Sequence, residues 1–349
     1  MLVPGFARAD LLGPYAVPMG AGDAWSVAHA SSGIALDRGL IGGFGNPAAF
    51  VTDRNEIYGE GSAWGAFAVQ NRVSPSGISY GAGSIGYLTS YESSSLVLLY
   101  RNRSQLDRGA GYGNTDVVDN QNLSDVGIAY AFHLKDGLTA GVFAGAITGS
   151  GYSGILQQST DLDTIFTPHL WFARFGIQDR VGTWRYAFVL ETPAIGSYKV
   201  DRPVNIARKR AGDVYSYRGP WTLQAGLGRD GGNGNGYEME ISLANSGTIV
   251  RGDDAIAEKD ISFSAAISGH IQVSPKIRLA SGLNYRLIDP ADHPALLLGL
   301  GGDYSLTEKV TLFGGAGIYF PTSSNSSSTA LDDVRPWIIR GGIMFFERD

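Results

Sequence analysis

Polar and apolar residues alternate with period two along most of this chain, and the alternation starts abruptly. From Glu60 onward, strand-sized blocks of about ten to thirteen residues repeat, the length that a tilted membrane-spanning strand requires. About fourteen are predicted: 60–72, 77–88, 93–103, 122–134, 137–148, 166–178, 181–193, 214–229, 236–248, 259–273, 276–288, 294–306, 309–320 and 335–347. The pattern is cleanest in the second half. In 259–273 one face carries Ile261, Phe263, Ala265, Ile267, Gly269, Ile271 and Val273, and the other carries Ser262, Ser264, Ala266, Ser268, His270 and Gln272.

Alternation alone also describes a soluble antiparallel sandwich, so the connections decide. Those after even-numbered blocks are mostly short (Lys135-Asp136-Gly137, Gln178 to Val181, Ser274-Pro275-Lys276, Thr307-Glu308-Lys309). Those after odd-numbered blocks are mostly long (104–121, 149–165, 194–213, 249–258, 321–334). Two depart from this rule: 73–76 is short, and Arg229–Asn235 is somewhat long for a turn. Long and short loops thus fall at opposite ends, as in outer-membrane barrels. In lipid such a sheet must close, because an open strand edge leaves backbone donors and acceptors unsatisfied. Outward aromatics suited to the membrane interfaces are Trp184, Tyr186, Trp221, Tyr285, Tyr304 and Trp337. The predicted fold is all-β, a membrane-spanning antiparallel barrel with both termini on the periplasmic side.

Before the alternation the chain reads differently. Residues 10–58 scatter Leu11, Leu12, Tyr15, Trp25, Val27, Ile34, Leu36, Ile41 and Phe44 among Gly, Ala and Ser without a period, and Ala24–Ser31 is read as a short helix. A coil-rich unit packed inside something else has this composition. It ends at Gly42-Gly43-Phe44-Gly45-Asn46-Pro47-Ala48-Ala49-Phe50, where Asn-Pro forces a rigid corner. The division expected is therefore a plug over 10–58 and a barrel over 59–349. Ala7-Arg8-Ala9 has the small-x-small form of a signal-peptidase site, which makes 1–9 the remnant of a signal peptide. Residues 1–6 are too few for a complete hydrophobic region, so either that signal is truncated or the match is accidental.

Composition narrows the function classes. Of 349 residues 49 are glycine, charged residues make up 17% and aromatics 11%, which suits many strands and tight turns rather than disorder. Cysteine is absent, so thiolate catalysis, disulfides and cysteine metal sites are excluded. A net charge of −6 argues against a nucleic-acid partner. No apolar run is long enough for a membrane-spanning helix.

Met19-Gly20-Ala21-Gly22-Asp23-Ala24-Trp25-Ser26-Val27-Ala28, followed by Asn46-Pro47-Ala48-Ala49, resembles the plug sequence of the outer-membrane transporters for long-chain fatty acids and aromatic hydrocarbons. The strand count extends the resemblance to the whole chain. The same signature is similar to that of related barrels that act as partners in protein secretion, so the resemblance implies the fold more firmly than the cargo. What it implies for mechanism is lateral passage: an apolar ligand caught by outer loops enters the barrel and leaves sideways at a kinked third strand, against which the Asn46-Pro47-Ala48 corner rests as plug and gate motif. The candidate third strand, 93–103, contains no glycine or proline to make a bulge, and the outer loops are short and polar for a large capture groove.

The inner faces are expected to form a wall of Ser, Gly and Ala that carries Arg185, Glu191, Glu238, Glu240, Arg278, Arg286 and Arg340. Such charges either pair with each other and with the plug, or one or two of the arginines hold a ligand carboxylate bidentately. Lys199, Arg202, Arg208, Lys209 and Arg210 fall in the loop 194–213, a solvated loop or a contact for lipopolysaccharide phosphates. Gly77-Ile78-Ser79-Tyr80-Gly81 and Gly226-Leu227-Gly228-Arg229-Asp230-Gly231 match a nucleophile elbow and a dinucleotide fingerprint, but both run in strands with no helix behind them. The five histidines lack metal-ligand spacing. No catalytic residue, cofactor or metal is expected. The expectation is an outer-membrane barrel for uptake or passage of small hydrophobic or amphipathic molecules. The alternative is a non-transporting anchor whose outer loops hold a secreted or surface-assembled protein partner.

Overall fold

The computed structural model describes residues 17–18, 24–36, 39–68, 79–102, 105–110, 116–155, 164–202, 214–219, 221–245, 248–251, 254–257, 261–287, 295–321 and 334–347. Among them, fourteen antiparallel strands close into a barrel. They are β1 (Asn55–Ala68), β2 (Ser79–Ser90), β3 (Ser94–Asn102, continued by Gln105–Ala110), β4 (Asp116–Lys135), β5 (Leu138–Ile155), β6 (Thr164–Val181) and β7 (Trp184–Glu191, continued by Ile195–Arg202). The ring continues with β8 (Val214–Arg218, then Thr222–Gly232), β9 (Asn235–Asn245, then Thr248–Arg251), β10 (Asp254–Ala257, then Ile261–Ser274), β11 (Ile277–Leu287), β12 (Ala295–Thr307), β13 (Val310–Pro321) and β14 (Val334–Glu347). Each strand pairs with its sequence neighbours, and β14 returns to β1 with Glu347 opposite Asn55 and Val334 opposite Ala68. That last ladder removes the edge that hydrocarbon would not tolerate.

Alternation places the side chains as expected. Along β7 Arg185, Ala187 and Val189 are buried while Trp184, Tyr186, Phe188 and Leu190 face outward. Ile261, Phe263, Ile267, Ile271 and Val273 are exposed along β10, and the predicted interface aromatics Tyr285 and Tyr304 are exposed as well. An apolar outer band around a closed ring is what lipid stabilises, at roughly 25 cal/mol for each Å² of apolar surface removed from water. No helix among the described residues is long and apolar enough to cross a membrane.

The structure corrects several boundaries. β1 begins at Asn55, so 55–58 belong to the wall. Much of the predicted long loops is strand: Gln105–Ala110 pairs with Asp116–Gln121, β5 runs on to Ile155, and β7 reaches Arg202. Lys199 and Arg202 therefore lie on a strand, whereas Arg208, Lys209 and Arg210 fall outside the described residues. These extensions are rich in Asp, Asn, Gln and Gly, so the period-two signal disappears although the backbone ladder continues. The Arg229–Asn235 connection tightens to a turn, with Gly232 opposite Asn235 and Asn233-Gly234 between them at φ 52° and 76°. Both values lie in the left-handed region that Asn-Gly supplies in hairpins. The connection predicted at 73–76 lies outside the described residues.

Helix α1 (Ala24–Ala28), helix α2 (Gly39–Gly43) and a 3-10 helix (Pro47–Phe50) precede the ring, and nearly every described side chain from 24 to 51 is buried. α1 packs on β11 to β14, α2 on β1 and β2, and the 3-10 helix on β3 to β6. Ala35 and Leu36 reach Glu238 on β9. The segment thus touches inward-facing residues all round the ring.

Candidate functional site at the corner and the β2–β3 seam

The corner is fixed by its own side chains first. Asn46 is fully buried and extended (φ −129°, ψ 110°). Its Oδ1 accepts the Ala48 N–H at 3.0 Å, capping the 3-10 helix in which Pro47 occupies the first turn. Its Nδ2 donates to the Ile34 carbonyl at 2.9 Å, tying the corner back to the preceding turn. The wall is cut to receive it: a Cβ on Gly141 would overlap the Pro47 carbonyl, and one on Gly176 would overlap Asn46 Oδ1. The Asn46-Pro47-Ala48 corner therefore makes its tightest approach at Gly141 of β5 and Gly176 of β6, and only glycine permits that approach.

The link to β3 runs through the carbonyl one turn earlier. Arg101 on β3 donates from Nη1 to the Phe44 carbonyl at 2.7 Å, and Arg174 on β6 donates from Nη1 to the same oxygen at 3.0 Å. Each guanidinium is also held by a carboxylate: Arg101 by Asp125 (Nε to Oδ2 3.0 Å) and Arg174 by Glu191 (Nε to Oε2 2.8 Å). Two strands three places apart in the ring thus converge on one backbone oxygen.

Arg101 sits where the wall changes. β2 and β3 are in continuous register from Ser90 opposite Ser95 to Ser84 opposite Arg101, and the described ladder ends there. β2 itself continues to Ser79, paired with β1, and β3 continues to Ala110, paired with β4. On the side facing β2, Gln105 and Leu106 pair instead with Pro18 and Val17 of the N-terminal segment. Of the third-strand block 93–103, expected to carry no bulge, the described residues 94–102 are in register with β4 throughout. The irregularity lies one strand earlier: between Gly59 opposite Ile85 and Gly61 opposite Ala82, β2 spends an extra residue, and Gly83 and Ser84 both turn inward and are buried. The signal was available in Gly81-Ala82-Gly83-Ser84-Ile85-Gly86, where glycine interrupts a strand.

The inner wall beside this seam is apolar. Leu88 of β2, Val97 and Leu99 of β3, Phe143 and Ile147 of β5, and Leu170 and Phe172 of β6 are all buried in one cluster with Leu40, Phe44 and Phe50. The expected wall of Ser, Gly, Ala and charges thus also carries large apolar side chains, here and at Leu297, Phe313, Ile338 and Met344 of the later strands.

Of the predicted inner charges Arg185, Glu238, Glu240 and Arg340 are buried, whereas Glu191 and Arg278 are half-buried. Glu238 accepts the Ala35 and Leu36 amides (2.9 and 3.1 Å), and Glu240 accepts the Gly33 amide (3.3 Å) and Gln224 Nε2 (3.1 Å). Arg340 donates from Nη1 to Glu60 Oε1 at 2.6 Å. Glu60 Oε2 also accepts the Ala24 amide and the Tyr58 hydroxyl, each at 2.7 Å. Arg185 pairs with Asp230 at 3.1 Å, and Arg278 pairs with Asp303 at 2.7 Å while lying 4.2 Å above the Trp25 ring. The Arg286 side chain lies outside the described residues; its backbone is in register with Ser264 and Ala295. Sequence reasoning missed Arg101, Asp125 and Arg174, because the first half of the barrel departs from clean alternation. No cluster of metal-ligating side chains occurs among the described residues.

No family model matches this chain, and no curated protein matches it by sequence. Solved structures do. The chain is similar to the CymD monoaromatic hydrocarbon channel, with 12% identity, 95% of this chain and 98% of that one covered, and a TM-score of 0.65. It is similar to a Pseudomonas aeruginosa FadL homologue and to the Pseudomonas putida toluene transporter TodX, each at 11% identity, 95% and 99% coverage and a TM-score of 0.66. At such identities the likeness concerns architecture, and what it establishes is that this chain has the fold of the FadL- and TodX-like outer-membrane barrels.

Proposed function

We propose that this protein is an outer-membrane channel for small hydrophobic molecules, which leave the barrel sideways through the seam between β2 and β3 while the N-terminal segment stays seated as a plug. The observation that carries this reading is the end of the β2–β3 ladder among the described residues at Ser84 and Arg101, at the β2 bulge and beside the apolar sector of the inner wall. An apolar molecule moving along Leu88, Val97, Leu99, Ile147 and Leu170 follows apolar side chains as far as the Arg101–Asp125 pair, and where the described β2–β3 ladder ends no β2–β3 hydrogen bond has to break for it to reach lipid. The neighbours named for toluene and monoaromatic hydrocarbons support the cargo class. The short-turn end, where Asn55 and Glu347 meet, is the periplasmic end, and the extended hairpins point outward, where basic residues such as Lys199 meet lipopolysaccharide.

The test is removal of the bulge. Deleting Gly83 lets β2 run in register with β1 and β3 together. Uptake of a radiolabelled monoaromatic hydrocarbon by cells expressing the variant should fall to the level of cells without the barrel, with heat-modifiable migration on gels retained. Unchanged uptake by a correctly folded deletion variant counts against the seam.

A second reading is favoured by the strand extensions. Gln105–Ala110, Asp116–Gln121 and the end of β5 continue the ladder beyond the ring as a polar sheet, a surface suited to holding a secreted or surface-assembled protein. Co-purification of such a partner, lost on shortening 105–121, would favour the anchor.

A further inference from the structure

We infer that this barrel discriminates by charge and admits neutral apolar molecules while rejecting carboxylate-bearing ones of the same size. The inference rests on the passage proposed above and concerns which ligands can use it. A pathway for an anionic amphiphile needs a cation able to take the carboxylate as it leaves water, because an ion moved into a low-dielectric interior without compensation is strongly unfavourable. Among the described inner-face side chains, each arginine already has a carboxylate. Arg101 holds Asp125, Arg174 holds Glu191, Arg185 holds Asp230, Arg278 holds Asp303 and Arg340 holds Glu60.

The two arginines that flank the apolar sector are the most fully committed. Each uses Nε and Nη2 on its carboxylate and Nη1 on the Phe44 carbonyl, so all three guanidinium nitrogens are engaged. To bind a ligand carboxylate, Arg101 would have to abandon Asp125, which is fully buried, or release the corner. Exchange of one carboxylate for another gains nothing and leaves the displaced one inside the barrel. Arg174 carries a second constraint, since its guanidinium lies 5.8 Å from the Phe172 ring centre and 6.0 Å from that of Phe143, against the wall that an apolar ligand would follow. The sector is therefore apolar along its length and electrically balanced at both margins, the environment that favours an uncharged ring or chain over its acid.

The test compares naphthalene with 2-naphthoate, which share a ring system and differ by one ionised carboxyl at neutral pH. Initial uptake is measured in Gram-negative cells expressing the full chain and in cells without it. Naphthalene uptake should rise several-fold with the barrel, and naphthoate uptake should not rise. Asp125→Asn and Glu191→Gln each release a guanidinium, and either variant should raise naphthoate uptake roughly tenfold, the scale of one charge-assisted hydrogen bond. Acceleration of both compounds alike, or of naphthoate more, overturns the inference and leaves the passage standing. Acceleration of neither overturns the passage and the inference with it. Folded variants that still exclude naphthoate show that the arginine pairs are not the barrier; if the variants do not assemble, the comparison in the unaltered protein decides alone.

Discussion

The inner face of β2 to β6 and the inner face of β9 to β14 meet the same N-terminal segment in different ways. Along the later strands the segment is gripped: Glu238 and Glu240 take its amides, Arg340 of β14 holds Glu60 of the adjoining β1 as it accepts the first amide of α1, and Gly299 and Gly315 let the α1 backbone lie directly on the wall. Along the earlier strands the contact is mostly apolar, through Leu40, Phe44 and Phe50 on Leu88, Leu99, Phe143 and Phe172, and the polar ties gather at the Phe44 carbonyl and at Asn46. Directional hydrogen bonds to buried charges hold one geometry, whereas apolar surfaces can part and repack at modest cost. The difference assigns the two halves different tasks, an anchor on one side and a surface that an apolar molecule can travel on the other.

Three substitutions sharpen that contrast, in order of expected effect. Glu60→Ala removes the acceptor for Ala24, Tyr58 and Arg340, whose side chain is 0% exposed. An arginine left without its buried partner costs about 3–5 kcal/mol, so urea unfolding in lipid vesicles should show the largest loss here. Asn46→Ala forfeits the cap on Ala48 and the tether to Ile34, for a loss of about 1–2 kcal/mol in the same assay. Ile147→Val removes one methylene from the apolar sector, for about 1 kcal/mol, and should alter hydrocarbon uptake by less than twofold. Should Ile147→Val rank above Glu60→Ala, the division between a gripped side and a travelled side is wrong.

Much of this was legible in the chain. The closed ring follows from alternation, loop segregation and the intolerance of lipid for an open edge, and blocks such as 276–288 and 309–320 fall on β11 and β13 within a residue or two. The short helix expected over Ala24–Ser31 is α1, and the buried positions of Arg185, Glu238, Glu240 and Arg340 follow from the same parity. What alternation cannot express is which inward residue meets which. The glycines at 141 and 176 read as strand glycines, and only the folded chain shows that they make room for Pro47 and Asn46. The seam was sought in β3 because the resemblance pointed there, while the extra residue sits in β2, where Gly81 and Gly83 had marked it.

The most direct measurement locks the segment to the gripped wall and asks whether passage survives. Ser32 and Ser268 face each other with their hydroxyl oxygens 2.7 Å apart, in a chain that has no cysteine of its own. Ser32→Cys combined with Ser268→Cys permits a disulfide between the segment and β10, far from the seam. With lateral exit past a seated plug, oxidised and reduced forms take up hydrocarbon at the same rate. Uptake abolished on oxidation and restored by reductant would mean that the segment must move, and lateral passage past a fixed plug would be contradicted.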